Sequence, residues 1–81
     1  MKISNIYKKG IVHFIGIGGI GMSGIAELMS DLGYKIQGSD LSTNNNIKNL
    51  QRRNVQIFLN HNEKNVKDVN AVVYSSAIKK K

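Results

Sequence analysis

The clearest chemical signal in the sequence is a glycine loop, Gly16-Ile17-Gly18-Gly19-Ile20-Gly21. It matches the G-x-G-x-x-G pattern that joins a strand to a helix and binds a phosphate or pyrophosphate group. In such a loop Gly16 permits a sharp exit from the strand, Gly18 lets the phosphate approach the backbone, and Gly21 lets the helix pack close to the sheet. We expect the N–H groups of residues 17–20 and the positive end of the helix to face the anion. The alternative is a glycine-rich turn that serves packing only.

Four further polar residues follow predicted strands, at the edge where ligands bind in open α/β folds. Asp40 stands 24 residues after Gly16, near the ~20-residue offset at which an acidic side chain meets a ribose hydroxyl and repels a 2′-phosphate. Capping of the next helix is the alternative role for Asp40. His61 follows the third strand, and Ser75 and Ser76 follow the fourth. A ligand contact and a local structural role both stay open for these three residues.

The sequence offers little for bond-making chemistry. It has no cysteine, and His13 and His61 are its only histidines, which is a poor set of metal ligands. His13 lies in the middle of an apolar strand, where a hydrogen-bonded core imidazole is favoured over a ligand role. No catalytic triad, carboxylate pair or G-x-x-x-x-G-K-[ST] loop is present. We therefore predict no catalytic residue, no metal site and no cofactor in this chain.

Charge and hydropathy exclude several other classes of protein. The net charge is +7, but six of the 12 basic residues lie near the two ends, which leaves residues 10–78 with six basic and five acidic groups. A body that is almost neutral argues against nucleic-acid binding. No apolar run approaches the ~20 residues that cross a bilayer, and no targeting segment is recognisable. We expect no membrane association and a cytoplasmic location.

The hydrophobic pattern predicts four strands separated by helical segments. Strands are predicted at 11–15, 34–38, 55–59 and 71–74, helices at about 20–32 and from Ser42 or Thr43 to Asn54, and a helical turn at 62–67. Alternation of this kind predicts a parallel sheet with right-handed crossovers. The expected fold is therefore α/β, a three-layer Rossmann-like sheet of strand order 3-2-1-4 in a single domain over residues 1–81.

Three segments carry a resemblance to a known family. They are the run from His13 to Leu28 with its G-I-G-G-I-G-M-S stretch, the run from Gly33 to Asp40, and Val73-Tyr74-Ser75-Ser76-Ala77-Ile78. Together they resemble the N-terminal domain of the Mur ligase family, and within it the ligases that join L-alanine to UDP-N-acetylmuramic acid in peptidoglycan synthesis. The resemblance covers residues 10–78, and the glycine stretch is more specific than a general dinucleotide fingerprint.

The resemblance implies a role in holding the substrate. The loop from Gly16 to Gly21 would hold the pyrophosphate of UDP-N-acetylmuramic acid, while Asp40, His61, Ser75 and Ser76 would line the uridine and phosphate side. Members of the family also have a central ATPase domain, which uses ATP and Mg²⁺, and a C-terminal domain. The chain resembles neither of these two domains. The family is enzymatic, but the 81-residue chain alone is expected to be inactive.

The sequence supports two further hypotheses. The glycine loop and Asp40 also suit a stand-alone Rossmann module that binds NAD(H) as a non-catalytic sensor. The fourth strand is expected at an edge of the sheet, where unpaired backbone groups favour pairing with another chain. Self-association through this strand is therefore expected.

Overall fold

Four parallel strands form the centre of the protein, for which a computed structural model describes residues 10–75. In chain order the elements are β1 (Ile11–Ile15), α1 (Ile20–Asp31), β2 (Lys35–Ser39), α2 (Asn45–Arg52), β3 (Gln56–Phe58), a 3₁₀ turn (Glu63–Val66) and β4 (Ala71–Val73). The strand order is β3-β2-β1-β4 and all neighbouring strands are parallel. The predicted fold class and strand order are confirmed.

The two faces of the sheet differ in chemistry. One face, which we call the apolar face, packs against α1 and α2. The members of this core are Val12, Phe14, Ile17, Ala26, Met29, Tyr34, Ile36, Ile47, Leu50 and Val55. Because side chains alternate along a strand, His13 on β1 and Gln37 and Ser39 on β2 point to the opposite face, which we call the polar face. The 3₁₀ turn lies over that polar face, where the Asn65 carbonyl oxygen accepts a hydrogen bond from the Gln37 side chain.

The helix ends show which residues set the element boundaries. After α1, Gly33 adopts a φ of 96°, so the predicted left-handed glycine at this position is confirmed. The cap of α2 is Asn44, whose side-chain oxygen accepts the N–H of Ile47 at 2.9 Å. The prediction of a cap at Ser42 or Thr43 was therefore wrong by one or two residues, since only Asn44 stands three positions before Ile47.

No helix among residues 10–75 is long and apolar enough to cross a membrane. The short helices each present one apolar side to the sheet, as expected for helices that cover a small core.

The outer edge of β4 leads to a prediction about association. β1 pairs with one side of β4, and no other strand within residues 10–75 pairs with the second side. Val72 on this strand is 41% exposed. An open edge is a template for another strand, and the net charge of +7 opposes its approach. We therefore predict that the chain self-associates with rising concentration, and more strongly when salt screens the charge.

Sedimentation at several concentrations in low and high salt tests this association. A strict monomer at millimolar protein in both salts would contradict it.

Candidate functional site

An open cleft of about 620 Å³ lies where β1 and β2 end. The glycine loop, defined as residues 16–21, forms one side, and Asp40 and Asn44 form the other. Ser75, which follows β4, also lines the cleft. This is the carboxyl edge of the parallel sheet, where α/β folds of this type bind ligands.

Hydrogen bonds to the end of β2 hold the first half of the glycine loop. The Ser39 carbonyl oxygen accepts two N–H groups, from Gly16 at 2.8 Å and from Ile17 at 3.1 Å. Gly18 donates its N–H to Asp40 Oδ2 at 2.8 Å, and Gly19 donates to the Gly16 carbonyl oxygen at 3.0 Å. The N–H groups of residues 17–19 are thus already bonded within the protein. Their predicted orientation toward an anion was wrong.

The backbone N–H groups that are available to a ligand lie in the first turn of α1. Gly19 is the N-cap of α1 and has no side chain with which to cap the helix. The N–H groups of Ile20, Gly21 and Met22 have no hydrogen-bond partner within residues 10–75. They are the first backbone donors of a 12-residue helix whose first turn has no acidic residue. Because a helix N-terminus carries partial positive charge, this first turn is the part of the loop that suits an anion.

The glycines of the loop differ in what surrounds them. A Cβ at Gly18 would lie 2.9 Å from Asp40 Oδ2 and 2.9 Å from Ile47, so the absence of a side chain at Gly18 allows close contact with Asp40 and α2. A Cβ at Gly21 would meet no atom within 4 Å, so Gly21 does not bring α1 close to the sheet. A close contact exists at Gly38 on β2, which packs against Ile17 of the loop and the backbone of β1. Gly16 has the predicted turn role, with a φ of 77°.

Asp40 ties two loops together. Its Oδ2 accepts the Gly18 N–H, while Oδ1 accepts the N–H groups of Leu41 at 2.8 Å and Ser42 at 3.4 Å. The alternative role as cap of the next helix is wrong, because Asn44 is that cap. A carboxylate has about four lone-pair sites, so Asp40 keeps the capacity to accept a further hydrogen bond from a ligand hydroxyl.

Two asparagines that sequence reasoning missed complete the loop. Asn44 and Asn46 donate their side-chain N–H groups to the Gly18 carbonyl oxygen, at 3.3 Å and 3.1 Å. In the sequence they belong to a run of three asparagines, which reads as a weak start to a helix. The available signal was the position of Asn44 three residues before a buried Ile47, which is the spacing of a side-chain cap.

A second, smaller pocket of about 210 Å³ lies on the polar face, next to the cleft. His61 Nδ1 lies 2.7 Å from the Ser39 hydroxyl, which in turn lies 3.3 Å from His13 Nε2. His13 is buried and its Nδ1 lies 2.7 Å from the Gln37 amide nitrogen. Burial, and then the nearby His61, lower the pKa of His13 below its ordinary value. His13 is thus the hydrogen-bonded core imidazole that its position in an apolar strand predicts.

The predicted site residues therefore divide into four groups. The glycines, Ile20, Asp40 and Ser75 line one cleft, and His61 lines the adjoining pocket. Ile17 is fully buried in the core, and Ser76 lies outside the described residues. Across residues 10–75 there is no group of three His, Cys, Asp or Glu side chains that could hold a metal ion.

Comparisons with known proteins agree on one family. Residues 11–81 match the family model described as "Mur ligase family, catalytic domain". The chain is 56% identical over 75 residues to the UDP-N-acetylmuramate–L-alanine ligase of Wolbachia sp. subsp. Brugia malayi, covering 93% of this chain and 14% of that enzyme. It is 59% identical over 69 residues to the ligase of the same name from Rickettsia typhi, covering 85% of this chain and 14% of the relative.

The solved structures give the same result. The crystal structure of UDP-N-acetylmuramate-alanine ligase from Thermotoga maritima matches with a TM-score of 0.79 and 31% sequence identity. The match covers 86% of this chain and 16% of that one. The chain thus spans about one-seventh of the length of the curated relatives described above.

Proposed function

The chain belongs to the Mur ligase family, and from this premise we propose that it is the N-terminal domain that holds the UDP part of UDP-N-acetylmuramic acid. The parent activity would be the ATP-dependent addition of L-alanine to that substrate in peptidoglycan synthesis. The relatives reported above are all ligases, which gives the NAD(H)-sensor alternative no support.

One observation carries the proposal. Three backbone N–H groups, from Ile20, Gly21 and Met22, have no hydrogen-bond partner in the described part of the chain and lie at the positive end of α1 beside a cleft of about 620 Å³. A pyrophosphate at this position would accept these donors and interact favourably with the helix dipole. The neighbouring Asp40 carboxylate suits a ribose hydroxyl and disfavours a ribose 2′-phosphate. These features together fit a nucleoside diphosphate with unmodified ribose hydroxyls.

Two serines and a histidine would supply the remaining contacts with the substrate. Ser75 lines the cleft near the glycine loop and would face the phosphate side, with Ser76 next to it in the sequence. His61 lines the adjoining pocket and would face the uridine side. The contribution of the domain to the reaction would be positioning: it would hold the nucleotide end of the substrate while chemistry takes place elsewhere.

The sequence and the described residues 10–75 offer no recognisable site for ATP or Mg²⁺. The 81-residue sequence has no G-x-x-x-x-G-K-[ST] loop, and the described part of the chain has no carboxylate cluster for Mg²⁺. We propose that both bind to other domains of a full-length ligase. A cytoplasmic location stays a prediction.

Ligand preference tests the proposed function. We expect the chain to bind UDP-N-acetylmuramic acid or UDP in preference to NAD, with a Kd near the millimolar end, about −4 kcal/mol, because one domain supplies only part of the contact surface. Titrations with each ligand, followed by backbone amide NMR shifts, measure the preference. The largest saturable shifts should lie at residues 20–22. Larger saturable shifts with NAD at the same residues would contradict the proposal.

Enzymatic activity of the isolated chain provides a separate test. The 81-residue chain should release no phosphate from ATP and form no alanine adduct. Its sequence has no G-x-x-x-x-G-K-[ST] loop and therefore no P-loop lysine for phosphoryl transfer. A phosphate-release assay with and without Mg²⁺ measures this. A Mg²⁺-dependent rate that stays constant through successive purification steps would show that the substrate-holding interpretation is wrong.

A further inference from the structure

A continuous chain of hydrogen bonds crosses the polar face of the sheet. It runs from the Asn65 carbonyl oxygen to the Gln37 amide nitrogen at 2.7 Å and from there to His13 Nδ1 at 2.7 Å. It continues from His13 Nε2 to the Ser39 hydroxyl at 3.3 Å and ends at His61 Nδ1 at 2.7 Å. We call these five groups the polar chain. The parallel register places His13 opposite Gln37, so the two side chains lie on the same face.

The direction of each bond follows from the Asn65 end. A backbone carbonyl oxygen only accepts, so the Gln37 atom beside it must be the NH₂ group. The same NH₂ group lies beside His13 Nδ1, which must therefore be the bare, accepting nitrogen of a neutral ring. The lowered pKa of His13 agrees with a neutral ring. The His13 proton then resides on Nε2.

The second half of the polar chain can have the same direction. His13 Nε2–H donates to one lone pair of the Ser39 oxygen, so the Ser39 hydroxyl proton is available to His61 Nδ1. If Ser39 donates this proton, Nδ1 of His61 is the accepting nitrogen and the His61 proton resides on Nε2. Whereas His13 and Ser39 are buried, His61 is exposed, and its Nε2 has no partner within residues 10–75.

We propose that Gln37, His13 and Ser39 are positioning residues that hold His61 as an Nε2–H donor toward an acceptor oxygen of the bound nucleotide. This inference rests on the proposed function, because the acceptor belongs to its ligand. The adjoining pocket of about 210 Å³ is smaller than the ~300–1,000 Å³ of a site that encloses a whole ligand, so it suits one part of the nucleotide.

The polar chain matters because an unrestrained surface histidine would present either a donor or an acceptor. A neutral imidazole exchanges its proton between two nitrogens, and an exposed ring also rotates. The Ser39 hydroxyl fixes the orientation of the His61 ring, and Gln37 fixes the direction in which that hydroxyl donates. A ligand oxygen then always meets an N–H group and never a second lone pair.

The first measurement uses the unchanged, ligand-free protein. Long-range proton–nitrogen NMR correlations distinguish an imidazole N–H from a bare nitrogen, and at about pH 8 ordinary histidines are neutral. We expect both His13 and His61 to carry the proton on Nε2. A His61 ring with its proton mainly on Nδ1 would overturn the proposal, whether or not the protein binds UDP.

Two substitutions test the direction of the polar chain. Ser39→Ala should turn His61 into a mixture of both neutral forms while His13 keeps its proton on Nε2, because Gln37 still donates to His13. Gln37→Leu should let both His13 and His61 adopt a mixture of the two neutral forms. Gln56→Leu is the matched control, since Gln56 pairs with Gln37 in the sheet but is exposed and outside the polar chain. A His61 ring that keeps one form in both variants would overturn the proposal.

UDP affinity supplies the functional readout. Ser39→Ala should weaken UDP binding roughly two- to tenfold, the effect of one poorly placed hydrogen bond. Gln37→Leu should weaken it less, because the hydroxyl still orients the ring, and Gln56→Leu should not change it. Equal affinity in Ser39→Ala and Gln56→Leu would overturn the ligand-donor role. If the unchanged protein failed to bind UDP, that role would fall with the proposed function, while the proton positions would still be known from the ligand-free spectra.

Discussion

Replacing Gly38 by alanine is expected to lower the free energy of unfolding by about 1–3 kcal/mol, and replacement by valine should lower it further. A Cβ at Gly38 would lie 2.5 Å from Ile17 Cδ1, 2.7 Å from Ile17 Cβ and 2.8 Å from the Phe14 carbonyl oxygen. Ile17 and Phe14 are completely buried. The terminal methyl of Ile17 can rotate away, but its Cβ and the β1 backbone cannot move without opening the sheet.

This loss is large for a small domain. A chain of 81 residues has a total stability of roughly 4–12 kcal/mol. Overpacking by valine at Gly38 therefore removes a substantial part of the stability and should leave a measurable unfolded fraction in water. Urea denaturation, followed by far-ultraviolet circular dichroism, measures the change.

Gly24→Ala is the matched control. Gly24 lies inside α1, and a Cβ there would meet no atom within 4 Å. Alanine should therefore stabilise the helix by about 0.5–1 kcal/mol, the ordinary preference for alanine over glycine. The same chemical change thus has opposite signs at the two positions. Equal stability of Gly38→Ala and Gly24→Ala would contradict the packing argument.

The fold could be predicted because its signals are local in the sequence. The apolar run before Gly16 and the three- and four-residue spacing after it identify β1 and α1 without knowledge of any tertiary contact. Gly33, with its left-handed backbone, marks the end of α1. Short connections and right-handed crossovers then leave few alternatives to the order 3-2-1-4.

The site could be predicted only in outline. The loop and Asp40 do line one cleft, but the sequence pattern does not show which N–H groups are already bonded. That depends on the Ser39 carbonyl oxygen and the Asp40 carboxylate, which are more than 20 residues away in the chain. The roles of Gly18 and Gly38 depend equally on what lies opposite them. Hydrophobic periodicity carries no information about either contact.

The contacts on the polar face also could not be predicted from the sequence. His13 reads as a core histidine in the sequence, and it is one. Its partners, Gln37 and Ser39, look like ordinary strand residues, and the register of β1 against β2 is what places them beside it. The pairing of β1 with β2 is therefore needed to show that buried His13 belongs to the polar chain, which ends at His61 in the candidate site.

Substitution of Gly18 by valine is expected to abolish saturable UDP-induced shifts at residues 20–22, which at a millimolar Kd requires a loss of about tenfold in affinity. The new side chain would collide with Asp40 Oδ2 and with Ile47. It would force apart the Gly18–Asp40 hydrogen bond and the contacts of Asn44 and Asn46 with the Gly18 carbonyl oxygen. The loop would then no longer present the first turn of α1 to the cleft.

The smaller change Gly18→Ala separates two explanations of the same loss. If Gly18 serves to let a phosphate approach, alanine should leave the ligand-free amide spectrum unchanged and affect only UDP binding. If Gly18 serves to hold the loop against Asp40 and α2, alanine should shift the amides of residues 40–42 and of Ile47 before any ligand is added. The contacts at 2.9 Å favour the second result.

Gly24→Ala again provides the control, because it adds the same methyl group to an open position of α1. Its ligand-free spectrum should differ from that of the unchanged protein only near the substitution, and its UDP affinity should be retained. A folded Gly18→Val protein that binds UDP as well as Gly24→Ala would contradict both explanations, since the loop would then tolerate a side chain at the position where Asp40 and α2 leave room for none.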